Sequence, residues 1–217
     1  MNYLAHAYLS FNDPEILVGN LISDYVKGRK KFDYSTRIQD GIALHRAIDS
    51  FTDDHPVTKE IKKIFADIYR LYSGAFMDVV YDHFLAKDQS IFPGDDLMLF
   101  SEDTYRKLEM HEPIFPEKFR IIFPYMKKFN WLYNYQFEKG IERSFEGLVR
   151  RAVYLNESGN AYQLFIKNYK QLEEAYRLFF PELLAYSRNE FDKISSWKQE
   201  ILLKPVIQHK TFLFFDV

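Results

Sequence analysis

A chain of 217 residues, 47% hydrophobic and 18% aromatic, carries a formal net charge of −2 and no cysteine. That length and composition suit one folded domain and exclude a disordered chain. The missing thiols exclude disulfides, iron–sulfur clusters, thiolate zinc sites and cysteine nucleophiles, and the near-neutral charge excludes a molecule that grips nucleic acid by its overall field.

In chain order, a short apolar segment runs from Tyr3 to Leu9. Asp13 caps and Pro14 opens a helix whose buried stripe is Ile16, Leu17, Leu21, Ile22 and Tyr25, ending at Lys27-Gly28. Thr36 to Gln39 reads as a capping box for a helix that reaches about Thr52. Asp54-His55-Pro56 starts the next, with Ile61, Ile64, Phe65, Ile68 and Leu71 at helical spacing until Ser73-Gly74 breaks it. Ala75 to Ala86 is a strongly apolar helix. Amphipathic helices follow Pro93-Gly94, broken around Pro113, Pro116 and Pro124. A long helical pattern covers Gln163 to Lys198, interrupted or kinked near Pro181.

The reading is all-α: a single-domain helical bundle over residues 1–203 with a short aromatic C-terminal tail over residues 204–217. In that tail Thr211 to Phe215 favours an arm, an edge strand or a contact between subunits of a homo-oligomer. No apolar run approaches the roughly 18–20 residues that cross a bilayer. Met1 to Phe11 has neither the basic start nor the cleavage site of a secretory signal, so a cytoplasmic protein with no membrane or nucleic-acid partner is expected.

Chemistry is read from the polar residues inside apolar helices. A helix that is apolar nearly all round is buried, and a buried carboxylate needs a partner. From Ala75 to Ala86 the groups able to carry charge are Asp78, Asp82 and His83. The two carboxylates are four residues apart on one face, where one takes up a proton unless a cation is near. Asn20 and Asp24 repeat that spacing, as do His45 and Asp49, and His6 is the titratable group of the first segment. Helical bundles build metal sites from such inward groups, and carboxylate with imidazole suits Mn, Fe or Zn.

Each piece also has a structural reading. His6 suits a hydrogen-bonded core histidine, His45 with Asp49 a local ion pair, Asn20 and Asp24 partners of the backbone, and Asp78, Asp82 and His83 a polar network. The basic run Lys27, Arg29, Lys30 and Lys31 is either a solvated helix end or a landing patch for an acidic partner. Arg46 is placed to grip a phosphate, or to pair with Asp49 or Asp53.

Four blocks stand out together: Asn2-Tyr3-Leu4-Ala5-His6; Gly19-Asn20 with Asp24; His45-Arg46-x-x-Asp49-x-x-Thr52-Asp53; and Asp78-x-x-x-Asp82-His83-Phe84-Leu85. In this order they resemble the acyl carrier protein phosphodiesterase family. Trp131-Leu132, Gly140-Ile141 and Arg151 are similar to its second half. The resemblance implies an all-helical, HD-domain-like metal phosphohydrolase that uses a divalent cation, Mn²⁺ first, with Mg²⁺, Fe²⁺ or Zn²⁺ as alternatives. It implies hydrolysis of the phosphodiester that joins 4′-phosphopantetheine to holo-acyl carrier protein. The adjacent pair here reads Asp82-His83, reversed from the usual His-Asp order.

The expectation is a cation held by a subset of His6, Asp24, His45, Asp49, Asp82 and His83. Asp78 would act as base or orienting group, and Arg46 and Lys27 would face the phosphoryl charge. Lys27, Arg29, Lys30 and Lys31 would steer an acidic helical carrier. The competing readings are a phosphohydrolase of nucleotides or other small phosphate esters, and a non-catalytic helical module that binds a carrier protein.

Overall fold

The structure, a computed structural model, describes residues 1–152 and 159–203, with side chains as far as residue 194 except that of Arg151. The aromatic tail, with its Thr211 to Phe215 segment, lies outside the described residues. Among the described residues there are twelve α-helices, short 3-10 turns and no strand. The helices are α1 (Tyr3–Tyr8), α2 (Pro14–Ile22), α3 (Thr36–Asp54), α4 (Pro56–Ile61), α5 (Lys63–Tyr69) and α6 (Ser73–Lys87), followed by α7 (Asp96–Glu109), α8 (Glu117–Lys128), α9 (Trp131–Asn134), α10 (Glu138–Arg151), α11 (Gly159–Lys167) and α12 (Tyr169–Leu203).

The core is organised around α6, which is buried along most of its length, from Phe76 and Met77 through Val79 to Ala86. Helix α1 packs on α2 and α6, α10 packs on α6, and α12 lies across α3, α4 and α6. The closest pairing is α2 with α3, and two glycines allow it. A Cβ on Gly19 would lie 2.1 Å from the Ile38 carbonyl oxygen, and one on Gly41 would lie 2.4 Å from that of Ile16. Only bare backbone lets the helices approach this far. The turn from α1 into α2 puts Phe11 and Asn12 at positive φ, 49° and 66°. The Arg188 guanidinium, 3.6 Å from the Phe11 ring centroid, braces that turn from α12.

Local signals explain most helix starts. Asp13 Oδ1 accepts from the N–H groups of Glu15 and Ile16 at 3.1 and 3.0 Å, with Pro14 in the first turn. The structure shifts other boundaries. The α3 cap is Ser35, whose hydroxyl accepts from Ile38 N–H, one residue before the expected Thr36, and Gln39 donates to the Tyr34 carbonyl instead of closing a capping box. Helix α2 stops at Ile22, and Ser23–Tyr25 tightens into a 3-10 turn. The segment expected as one helix to Leu71 divides into α4, α5 and a 3-10 turn, leaving Leu71 exposed. Ser73-Gly74 begins α6 rather than breaking a helix. Pro124 and Pro181 lie inside α8 and α12, and neither ends its helix. Among the described residues, no helix is long and apolar enough to cross a membrane.

Candidate metal centre

Three of the expected ligands converge. His6 on α1, with His45 and Asp49 on α3, each offer a donor atom within 4.8 Å of the others. The two imidazoles stack, with centroids 4.0 Å apart and planes 17° from parallel. His6 Nε2 lies 3.2 Å from Asp49 Oδ1, and His45 Nε2 lies 3.0 Å from Asp49 Oδ2. Asp24, carried inward by the 3-10 turn after α2, brings Oδ1 to 3.3 Å from His45 Nε2, although its side chain is 75% exposed. The α-ammonium of Met1 is buried and lies 3.1 Å from Asp49 Oδ1 and 3.0 Å from Asp78 Oδ1. The groups border a cleft of about 260 Å³ whose wall includes His6, Asp24, His45 and Asp78 together with Tyr3 and Tyr25. The hydroxyls of Tyr3 and Tyr25 are 2.7 Å apart.

Electrostatics separate the roles. Burial opposes ionisation of Asp49, yet the Met1 ammonium and both imidazoles hold its carboxyl far below the usual carboxylate range. Burial and the neighbouring His45 charge push His6 down to about 4, so His6 is neutral, the form that ligates metal. Burial alone would lower His45, but the hydrogen bonds and charges of Asp24 and Asp49 overcome it and raise it to about 9. The hydrogen bond from His45 lowers Asp24. Asp78 is raised by burial, against the pull of the Met1 ammonium.

The donor set fits a divalent cation. Neither His6 ring nitrogen nor His45 Nδ1 makes a well-formed hydrogen bond, though all three are buried. Two imidazoles and an ionised carboxylate are the donor chemistry of Mn, Fe or Zn sites. In their present arrangement the imidazolium of His45 and the ammonium of Met1 supply the positive charge that Asp49 and Asp78 need. Metal binding is therefore linked to loss of the His45 proton.

These charges set a pH dependence. His45 is raised to about 9, and the Met1 ammonium to about 11 because Asp78 and Asp49 outweigh its burial. Both groups bind their protons more tightly in the folded state, so their stabilisation is full near pH 6 and is lost as pH rises. For His45 the loss between pH 6.5 and 9 is on the order of 3 kcal/mol. Thermal melts of metal-free protein are expected to show a falling Tm across that range, and His45→Gln to flatten it. A Tm that is level from pH 6.5 to 9 in the unmodified protein would contradict the assignment.

The other expected site residues lie elsewhere. Asp82, fully buried, accepts the N–H groups of Leu4 at 2.7 Å and Ala5 at 3.1 Å and so caps the start of α1. Burial pushes its carboxyl up to about 7, against those two donors. His83 is also fully buried; its Nδ1 donates to the Tyr135 carbonyl at 2.7 Å and its Nε2 meets the Tyr169 hydroxyl at 3.0 Å. Burial lowers it to about 4. Neither residue belongs to the converging trio: successive positions on α6 point in different directions, and both side chains have their partners. Asn20 turns inward rather than beside Asp24, its Nδ2 donating to the His6 carbonyl at 2.9 Å and the Ser10 hydroxyl at 3.1 Å. It thereby fixes the backbone that carries His6. Arg46 is exposed and donates to the Val26 carbonyl at 3.3 Å, away from the cleft wall. Lys27, Arg29 and Lys30 are exposed on the 3-10 turn Gly28–Asp33 and its approach, and Lys31 is half-buried there.

Two participants escaped the sequence reading. The Met1 ammonium belongs to the backbone and has no signature in a residue pattern. The Tyr3–Tyr25 hydroxyl pair joins residues 22 positions apart, and both tyrosines look like ordinary core aromatics in sequence.

Asp82→Ala tests the capping role. It leaves two buried N–H groups without an acceptor, a cost of about 2–4 kcal/mol, and loosens the helix that presents His6. Urea unfolding should show the loss, and metal titration a weakened affinity. An unchanged unfolding midpoint would contradict the role.

The acyl carrier protein phosphodiesterase family model matches residues 1–183. Relatives bearing that name include those of Photorhabdus laumondii, 29% identical over 88% of this chain and 96% of that protein, and of Yersinia enterocolitica, 29% identical over 88% and 99%. The relative from Enterobacter sp. (strain 638) is 31% identical over the same shares, 88% and 99%. No solved structure gives a significant match. The match of the family model over most of the chain, with relatives aligned nearly end to end, makes this chain a member of the acyl carrier protein phosphodiesterase family.

Proposed function

We propose that the chain hydrolyses the phosphodiester between 4′-phosphopantetheine and the serine of holo-acyl carrier protein, with a divalent cation, Mn²⁺ foremost, held by His6, His45 and Asp49. The observation that carries the reading is the convergence of those three donors beside a cleft whose wall includes His6 and His45, in a chain that belongs to this family. The cation, when bound, supplies Lewis-acid polarisation of the phosphoryl group and a lowered pKa for water.

The chain's own residues do the rest. Asp24 orients His45 from the open side. Asn20 and Asp82 hold α1 so that His6 faces Asp49. Asp78 lines the cleft with a carboxyl made more basic by burial, and takes the proton from the attacking water. The Met1 ammonium and the tyrosine hydroxyls face the charge that builds on the phosphoryl oxygens. Arg46 and Lys27 stand outside this wall, so they act on approach of the substrate rather than on its reacting atoms. Lys27, Arg29, Lys30 and Lys31 draw an acidic carrier toward the opening.

The test incubates the protein with holo-acyl carrier protein and Mn²⁺ and follows the carrier by mass spectrometry. The expected result is loss of the mass of the 4′-phosphopantetheine arm, stopped by chelation, with free nucleotides left intact. A metal-loaded protein that leaves the carrier unchanged overturns the reading, and turnover of nucleotides alone would move it to the small-ester alternative.

A further inference from the structure

Two segments concentrate positive charge in a chain whose formal net charge is −2. Residues 27–32 and 118–129 together hold eight cations and no acidic residue. One of the eight, Lys127, is paired with Glu109. The same segments expose apolar side chains: Phe32 at 61%, Ile121 at 60%, Tyr125 at 56% and Phe129 at 50%. On α8 the pattern is two-faced. Phe119, Phe123 and Met126 enter the core, while Lys118, Ile121, Tyr125 and Lys128 stand on the opposite, exposed side. A row of exposed apolar groups flanked by cations is not what a merely solvated helix face requires.

Both segments adjoin the cleft. The basic run begins at Lys27, two residues after Tyr25, which lines the cleft. The ring of Phe119 on α8 lies 5.5 Å from that of Tyr25, and Trp131, just past the end of α8, lies 6.2 Å from Tyr3. Tyr3 and Tyr25 are the hydroxyl-paired residues of the cleft wall. The start of α8 and the segment that follows it therefore both rest on the rim of the opening.

We propose that the outer face of α8 (Lys118, Ile121, Tyr125 and Lys128) is a docking ledge for a protein helix that presents carboxylates interleaved with aliphatic side chains. Charge complementarity selects the acidic partner, and the exposed apolar row supplies contact area that would otherwise stay in water. This rests on the proposed carrier-protein substrate and deepens it: the ledge recognises the protein, while the metal centre acts on the arm. A substrate lacking the protein part has no use for the ledge.

The experiment compares three proteins, each checked for an unchanged helical spectrum: the unmodified chain, Lys118→Glu/Lys128→Glu, and Lys167→Glu/Lys170→Glu as an equal charge reversal at exposed positions outside both segments. A second docking variant, Ile121→Ala/Tyr125→Ala, removes the apolar row without altering charge. Each is assayed with holo-acyl carrier protein and with bis(p-nitrophenyl) phosphate as a small phosphodiester. The expected result for both docking variants is a KM for the carrier raised by about tenfold or more, a kcat within about twofold, and an unchanged rate on the small diester. The Lys167/Lys170 control should stay within about twofold throughout. A carrier KM equal to that of the unmodified chain, or a parallel fall on the small diester, overturns the ledge. An unmodified chain that cleaves the small diester but leaves the carrier intact overturns the substrate reading instead, and the ledge with it.

Discussion

Asp49→Asn is expected to lower kcat/KM on holo-carrier by at least ~10³-fold and to abolish stoichiometric metal binding, with the helical spectrum retained. Asp49 is the hub of the site: the Met1 ammonium, His6 and His45 all meet its two oxygens. The amide is nearly isosteric but cannot neutralise a cation. Asp24→Asn is the informative companion. Its carboxylate is largely exposed and touches only His45 among the trio, so water screens and replaces much of what it does. Its loss should cost less, about 10–100-fold. Kinetics on both variants alongside metal titration would check the ranking. Equal losses at the two positions would contradict a hub at Asp49.

The largest effect on stability is expected away from the site, at the α2–α3 contact. Gly41→Ala places a methyl 2.4 Å from the Ile16 carbonyl oxygen, an overlap that only a backbone shift relieves. The cost should be about 3 kcal/mol or more. The shift also separates the turn carrying Asp24 from the helix carrying His45, so metal affinity should fall with stability. Gly147→Ala on α10 is the contrast. A Cβ there meets nothing within 4 Å, and the change should stabilise by about 0.5–1 kcal/mol, since alanine favours a helix over glycine. Urea unfolding of the two variants measures the difference; a Gly41→Ala protein as stable as the parent would mean the helices do not meet as described.

Much of this architecture is legible in the chain because apolar periodicity reports burial directly. Ala75 to Ala86 reads as a buried helix and forms one. Asp13-Pro14 reads as a helix start and caps α2 with two hydrogen bonds. Periodicity is weaker at boundaries, where local hydrogen bonds compete. Ser35 and Thr36 are both adequate caps, and the turn after α2 closes as 3-10 although Tyr25 continues the apolar stripe.

The candidate metal trio is readable only in part. His45 and Asp49 are four apart on one helix and meet as their spacing suggests. His6 joins them from another helix, and no local pattern specifies that approach. Asp82 and His83 show why burial of a titratable group does not name its task. Asp82 looks like a ligand awaiting a cation, yet two backbone N–H groups from α1 are its partners. His83 follows Asp82 directly, but the helix turns it toward α9 and α12, where a carbonyl and a phenol await it. Sequence shows that a buried carboxylate must have a partner; it does not show whether the partner is a metal or an amide. The reversed Asp-His order is consistent with a structural task for this pair.

Whether a cation sits on His6, His45 and Asp49 is decided by anomalous diffraction from crystals equilibrated with Mn²⁺. One strong peak is expected within about 2.0–2.3 Å of a nitrogen of His6, a nitrogen of His45 and an oxygen of Asp49, with its loss in Asp49→Asn crystals treated alike. A peak on Asp82 and His83, or none near α1 and α3 at saturating Mn²⁺, would contradict it.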